Sequence, residues 1–230
     1  MGLTLAQFEA RVLALLFDSS AALYVTAVTT EAVRLALHEY AEAAPLAAEI
    51  VLTLPGTGHE IALSAVTGLL GVVDVWWPYD SAATSETWPP NRVEGWTLWW
   101  DDAQPVLFLN ADNQGQPQID DELRLWYTKP HTIQNLDSAA VTTVPTEHES
   151  LLVLGAAGFA CLARAVDLSE TAGQQTIATP NLGALGGMYL KQFRARLKSL
   201  RLGQVTGSAR RQRPFGGAGW VMDQWDGTDG

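Results

Sequence analysis

The chain has 230 residues, 47% of them hydrophobic and 17% charged, with a net charge of −11. These proportions exclude an intrinsically disordered chain, which lacks the apolar surface to collapse. A single cysteine, Cys161, excludes an intrachain disulfide framework. The start, Met1 to Val12, lacks the basic head and long apolar run of a signal peptide.

Thr4-Leu5-Ala6-Gln7 has a capping-box pattern, and Leu5, Phe8, Val12, Leu15 and Leu16 give the following helix an apolar face. Asp18-Ser19-Ser20 breaks it. The spacing of Val33, Leu37 and Tyr40 predicts a second helix from about Thr30 to Glu42, ending before Pro45.

From residue 46 to residue 129 the period changes to two. Ile50–Leu54, a Pro-Gly-Thr-Gly turn and Glu60–Leu63 read as a hairpin. Val72–Trp77, Gly95–Trp100, Val106–Leu109 and Glu122–Tyr127 are further strands, rich in β-branched and aromatic residues. Seven of the nine tryptophans lie here: Trp76, Trp77, Trp88, Trp96, Trp99, Trp100 and Trp126. The expected form is an inserted antiparallel β-sandwich or small barrel. Adjacent tryptophans at 76–77 and 99–100 point to opposite faces of a strand, so one of each pair lies outside the β core.

The helical pattern returns at Thr146-Glu147-His148-Glu149, a second capping-box pattern. No charged residue occurs from Leu151 to Ala163, and six positions in that run are small, including Gly155 and Gly158. A helix apolar on all sides is a buried one, and 13 residues are too few to cross a bilayer. After Pro180-Asn181, Leu182, Leu185, Tyr189, Phe193, Leu197 and Leu200 form one stripe of a further helix. Lys191, Arg194, Lys198 and Arg201 form a basic ridge on another face. The predicted fold is α+β: a four-helix core from residues 1–45 and 130–202, a Trp-rich β domain at 46–129, and an extended C-terminal arm at 203–230. The arm is rich in glycine and polar residues and cannot build a core of its own.

Charge is unevenly distributed. Residues 1–190 carry 6 basic and 22 acidic side chains, whereas 191–213 carry 8 basic ones and no acid. An acidic body with a basic segment points to a distinct partner for that segment. Its arginines are few and aromatic interleaving is slight, which favours a protein partner over nucleic acid.

The chemical inventory is sparse. His38-Glu39, His59-Glu60 and Glu147-His148-Glu149 lack the spacing that sets two imidazoles on one helix face, and a solvated surface is the expectation for them. Cys161 lies among small apolar residues, where a thiol is inert packing. No Gly-x-Ser-x-Gly elbow is present. Gly183 to Gly187 is glycine-rich but has no preceding strand or P-loop lysine, so it reads as an allowance for close helix packing.

Asp121 to Ile133, then Asn135-Leu136-Asp137, then Pro145 to Glu149 with the Leu/Gly/Ala helix, resembles a segment of tailed-bacteriophage head–tail connector (adaptor) proteins. The likeness is most specific over residues 121–168. It implies a structural virion protein rather than an enzyme, with no cofactor and no metal. It implies a homo-oligomeric ring, commonly of twelve copies, beneath the portal protein, joined to tail or tail-completion proteins. DNA would pass through the lumen without specific binding, and no membrane is involved. Location would be the virion neck, after assembly in the bacterial host cytoplasm. The resemblance implies C-terminal arms that dock on the portal, which singles out Arg210, Arg211, Arg213, Phe215, Trp220 and Trp225 for the portal or a neighbouring subunit. An acidic lumen would repel passing DNA. The competing readings are a carbohydrate-binding β-sandwich module of a phage particle, with tryptophans stacked on sugar rings, and a hydrolase of undescribed type.

Overall fold

The computed structural model describes residues 2–82, 91–93, 95–110, 115–171 and 178–208. The protein is α+β, with four α-helices and two small antiparallel sheets. Backbone proximity divides it into a helical unit, Met1–Ala47 with Thr128–Gly207, and a β unit that includes Ala48–Tyr127.

In the helical unit, α1 (Leu5–Leu15) opens on Thr4, whose backbone N–H donates to Gln7 Oε1 at 2.9 Å. Its chain breaks at Asp18, a carboxylate that accepts the N–H groups of Ala22, Leu23 and Tyr24 and the Ser20 hydroxyl. Helix α2 (Thr26–Ala43) starts four residues before the predicted Thr30. Its N-cap is Val25, which has no side-chain acceptor, so the sequence carries no start signal there.

The link from 130 to 145 is not a slack connection. Ile133 and Leu136 enter the helical core, Leu5 N–H donates to the Gln134 carbonyl, and Asp137 takes a bidentate bond from Arg34 at 2.7 and 3.0 Å. The link ends in a short 3-10 turn (Thr146–His148), after which α3 (Glu149–Thr171) begins. The capping box expected at Thr146 is absent. Glu149 turns instead toward the N-terminus, where its carboxylate accepts Leu3 N–H at 3.0 Å and faces Arg11 at 3.4 Å.

Helix α3 is the centre of this unit. Residues 146–168 are long and apolar enough to cross a membrane by length and composition, but half of that stretch is buried inside the protein. Leu151, Leu152, Ala156, Ala157, Ala160 and Cys161 join Phe8, Val12, Val33, Leu37 and Tyr40 in one core. Helix α4 (Ala178–Ser208) adds Leu190, Phe193 and Leu197. Small residues let α3 and α4 approach: a Cβ on Gly158 would lie 2.8 Å from Leu190 Cγ, and one on Gly186 would lie 3.0 Å from the Gly158 carbonyl. Gly183 and Gly187, by contrast, face open space.

In the β unit the strands are β1 (Leu46–Thr53), β2 (Glu60–Ala62), β3 (Gly71–Tyr79), β4 (Trp96–Asp101), β5 (Gln104–Leu109) and β6 (Glu122–Lys129). They form two three-stranded sheets, ordered β1-β6-β3 and β2-β5-β4. The predicted β1–β2 hairpin is therefore wrong, because those strands belong to different sheets. After β1 the backbone bonds to the segment before β6: Leu54 exchanges bonds with Asp120 and Asp121, and Gly58 N–H donates to the Pro117 carbonyl. The true hairpin joins β4 to β5 through Asp102 (φ 43°) and Ala103 (φ 68°). Two consecutive positive φ values are those of the turn type that matches strand twist.

Among the described residues there is no closed barrel, which removes that alternative. Ile61, Leu107 and Leu109 of one sheet meet Val75, Trp77, Leu123, Leu125 and Tyr127 of the other in a single apolar cluster. Trp77 is thus a core residue, while Trp76 is half-buried on the opposite face, as adjacent positions on a strand require.

Candidate functional site

The basic ridge of α4 sits at the end of the described chain. Lys191, Arg194, Lys198 and Arg201 are all exposed on one face, at intervals of three and four residues. Their roles differ. Arg194 reaches α2 and bonds Glu39 through two nitrogens, at 2.6 and 3.0 Å. That bond to Glu39 raises the Arg194 pKa further, so this arginine is a clamp between helices. Among the described residues Lys191, Lys198 and Arg201 have no ion-pair partner. Beside them lies an open groove of about 390 Å³, lined by Glu39, Glu42, Ala43, Arg194, Leu197, Lys198 and Arg201. The arm residues Arg210, Arg211, Arg213, Phe215, Trp220 and Trp225 fall outside the described residues.

Of the histidines expected on solvated surfaces, His38 is exposed, whereas His59 and His148 are half-buried and hydrogen-bonded. His38 Nε2 lies 3.3 Å from Glu42, and His148 Nδ1 lies 2.6 Å from the Tyr40 hydroxyl. Burial pushes the Tyr40 hydroxyl up to about 12. Against the same ring sits His131, with Nδ1 3.0 Å from the Thr143 carbonyl. Burial lowers the His131 pKa, and the backbones of Thr143 and Ala44 only partly oppose it. Glu149 is 3% exposed, so the expectation of a solvated surface is overturned at that residue. Sequence reading could not bring these groups together, because Tyr40 and His131 are 91 positions apart. Cys161 is buried within 3.7 Å of the Tyr24 hydroxyl, and burial raises its pKa. Among the described residues no group of three metal-ligating side chains converges.

Two further surfaces carried no sequence signal. The loop after α1, fixed by Asp18, exposes Phe17 (96%) together with Leu23 and Val25. Hydrogen bonds from Tyr24, Leu23 and Ala22 outweigh desolvation and hold the Asp18 carboxyl below its ordinary range. In the β unit, Arg124 lies 5.1 Å from the ring centres of both Trp76 and Trp126 and 5.4 Å from that of Tyr79, and its guanidinium bonds Glu49. The three rings surround one guanidinium, while the Trp126 indole N–H is buried without a hydrogen-bond partner.

No protein-family model matches the chain, and no curated protein matches it. A solved structure, the neck of an empty GTA particle computed with C6 symmetry, is similar at 18% identity over 81% of this chain and 88% of its own, with a TM-score of 0.29. Overlap at that level does not establish a common fold.

Proposed function

We propose that the chain is a structural virion protein: a head–tail adaptor that forms a ring beneath the portal, joins the capsid vertex to the tail and surrounds the DNA channel. The observation that carries this reading is the segment 121–168. Its sequence resembles the adaptor family, and the residues that carry the resemblance have structural work in this fold. Ile133 and Leu136 fill the helical core, Asp137 binds Arg34, and Glu149 holds the N-terminal segment.

Three features support an assembling rather than a catalytic role. The titratable groups singled out in the helical unit, Tyr40, His131, His148 and Glu149, are committed to internal contacts. An apolar loop at Phe17, Leu23 and Val25 faces outward, as a subunit contact would. Three cations on α4 await a partner, and the arm residues that follow supply arginines and aromatic anchors of the kind that dominate interfaces. In this reading the two sheets act as a small β-sandwich on the ring, and the arm orders on the portal or a neighbouring subunit.

The test is incorporation. The full chain and a 1–207 truncation are mixed with portal assemblies, and complexes are isolated by size. The full chain is expected to bind and the truncation to remain folded but unbound. Equal binding by both would overturn the arm, and binding by neither would overturn the adaptor reading.

A further inference from the structure

Helix α4 is bordered by two open grooves. The first holds about 470 Å³ and is walled by Leu15 of α1, Val153 and Leu154 of α3, and Gln192 and Arg196 of α4. The second, of about 390 Å³, is the one that α2 and α4 share, lined in part by Ala43, Leu197, Lys198 and Arg201. At about 100° per residue, Gln192 and Arg196 lie on the side of α4 opposite Lys198 and Arg201. The crest between the two sides carries exposed Lys191, Ala195 and Ser199, two of which are small.

Cations rim both grooves. Helix α4 has five basic residues and no acidic one. Arg194 is committed to Glu39, but Lys191, Arg196, Lys198 and Arg201 have no ion-pair partner among the described residues. Each groove thus joins an apolar wall to a cation that lacks a counter-charge.

We propose that this platform takes the acidic, aromatic segment 220–229 of another copy of the chain, laid across α4. That segment lies outside the described residues, and its sequence supplies the match. It holds Trp220 and Trp225, with Asp223, Asp226 and Asp229 and no basic residue. Five residues of extended chain reach about 16–18 Å. A helix with its side chains is about 10–12 Å across, so the two indoles can occupy the two grooves. Trp220, followed by Val221 and Met222, suits the groove walled by Leu15, Val153 and Leu154. Trp225, followed by Asp226 and Asp229, suits the groove rimmed by Lys198 and Arg201. Asp223 then crosses the crest beside Lys191. Buried aromatic anchors with charge-assisted bonds around them are what holds an interface.

Helix α4 runs on to Ser208, seven residues or about 10 Å past Arg201, and so carries its own arm away from the platform. The choice of another copy rests on the ring reading, in which subunits stand side by side. The match between segment and grooves does not.

The probe is a fluorescein-labelled peptide of residues 217–230. It is added to the full chain carrying Trp220→Ala and Trp225→Ala, whose own segment no longer competes. Anisotropy is expected to show saturable binding. Arg196→Glu and Lys198→Glu should each weaken it about tenfold, as should loss of either tryptophan from the peptide. Gln192→Trp, at an exposed position, should fill the first groove, so that peptides with and without Trp220 bind alike. No saturable binding, or binding unchanged by Arg196→Glu and Lys198→Glu, would overturn the platform. The second copy is tested in the full chain with Lys198→Cys and Asp226→Cys, where native Cys161 is buried. Mild oxidation should give a ladder of multiples of 24.8 kDa. A monomer with an internal disulfide would overturn another copy as the occupant. Native mass reads the ring separately: peptide binding by a protein that stays monomeric would overturn the ring and the second copy while the match of segment to grooves stands.

Discussion

The helical unit and the β unit store their information differently. In the first, short-range periodicity predicts the elements, and a few long-range polar bonds lock them: Arg194 to Glu39, Asp137 to Arg34, Glu149 to Leu3. In the second, each strand is readable but its partner is not, since β1 pairs with β6 across some 70 residues rather than with adjacent β2. Where neighbours in space are neighbours in period, sequence suffices. Where the backbone pairs at a distance, only the fold reveals the partner.

Four changes would sharpen or break this contrast. The largest effect is expected for Gly158→Leu. A Cβ there already lies 2.8 Å from Leu190 Cγ and 3.1 Å from the Leu190 backbone nitrogen, so α4 has to move. Overpacking of this kind costs about 1–3 kcal/mol. Urea unfolding should show the loss, and an unchanged midpoint would mean that α3 and α4 do not approach as described.

Glu149→Ala comes next. It leaves Leu3 N–H without its acceptor in a nearly closed site, at a cost of about 1–3 kcal/mol. The same denaturation measurement checks it. A loss below about 0.5 kcal/mol, the range of ordinary surface substitutions, would show that the N-terminal tie is weak.

In the β unit, Ala103→Gly should stabilise by about 0.5–1 kcal/mol, because Ala103 holds a left-handed φ of 68° that glycine adopts without strain. Thermal melting of the variant checks the sign. Destabilisation would contradict the turn.

The fourth change is one of pH. His131 has a folded pKa below its unfolded value of about 6.5, so its contribution is fully present above that value. It is lost as pH falls through the unfolded pKa toward the folded one, because the unfolded chain binds the proton more readily. His131→Asn should flatten the stability–pH curve in this window, and identical slopes for the two proteins would remove His131 as the cause.

Legibility varied within each unit for physical reasons. The apolar stripe of α4 was readable because Phe193 and Leu197 repeat locally, but Leu190, off the predicted stripe, is the residue that meets Gly158. The Pro-Gly-Thr-Gly run looked like a hairpin turn, whereas the real one uses Asp102-Ala103, with no glycine to announce it. The ridge of Lys191, Arg194, Lys198 and Arg201 was legible from spacing alone. That Arg194 is already spent on Glu39 was not, since those residues are 155 positions apart.

We propose that the protein assembles as a ring at a particle neck. The most direct test is the native mass of the full chain, alone and with portal assemblies. A closed multiple of the 24.8 kDa protomer, near twelve copies when bound to portal, is the predicted result. A monomer at every concentration, with no portal complex, would contradict it.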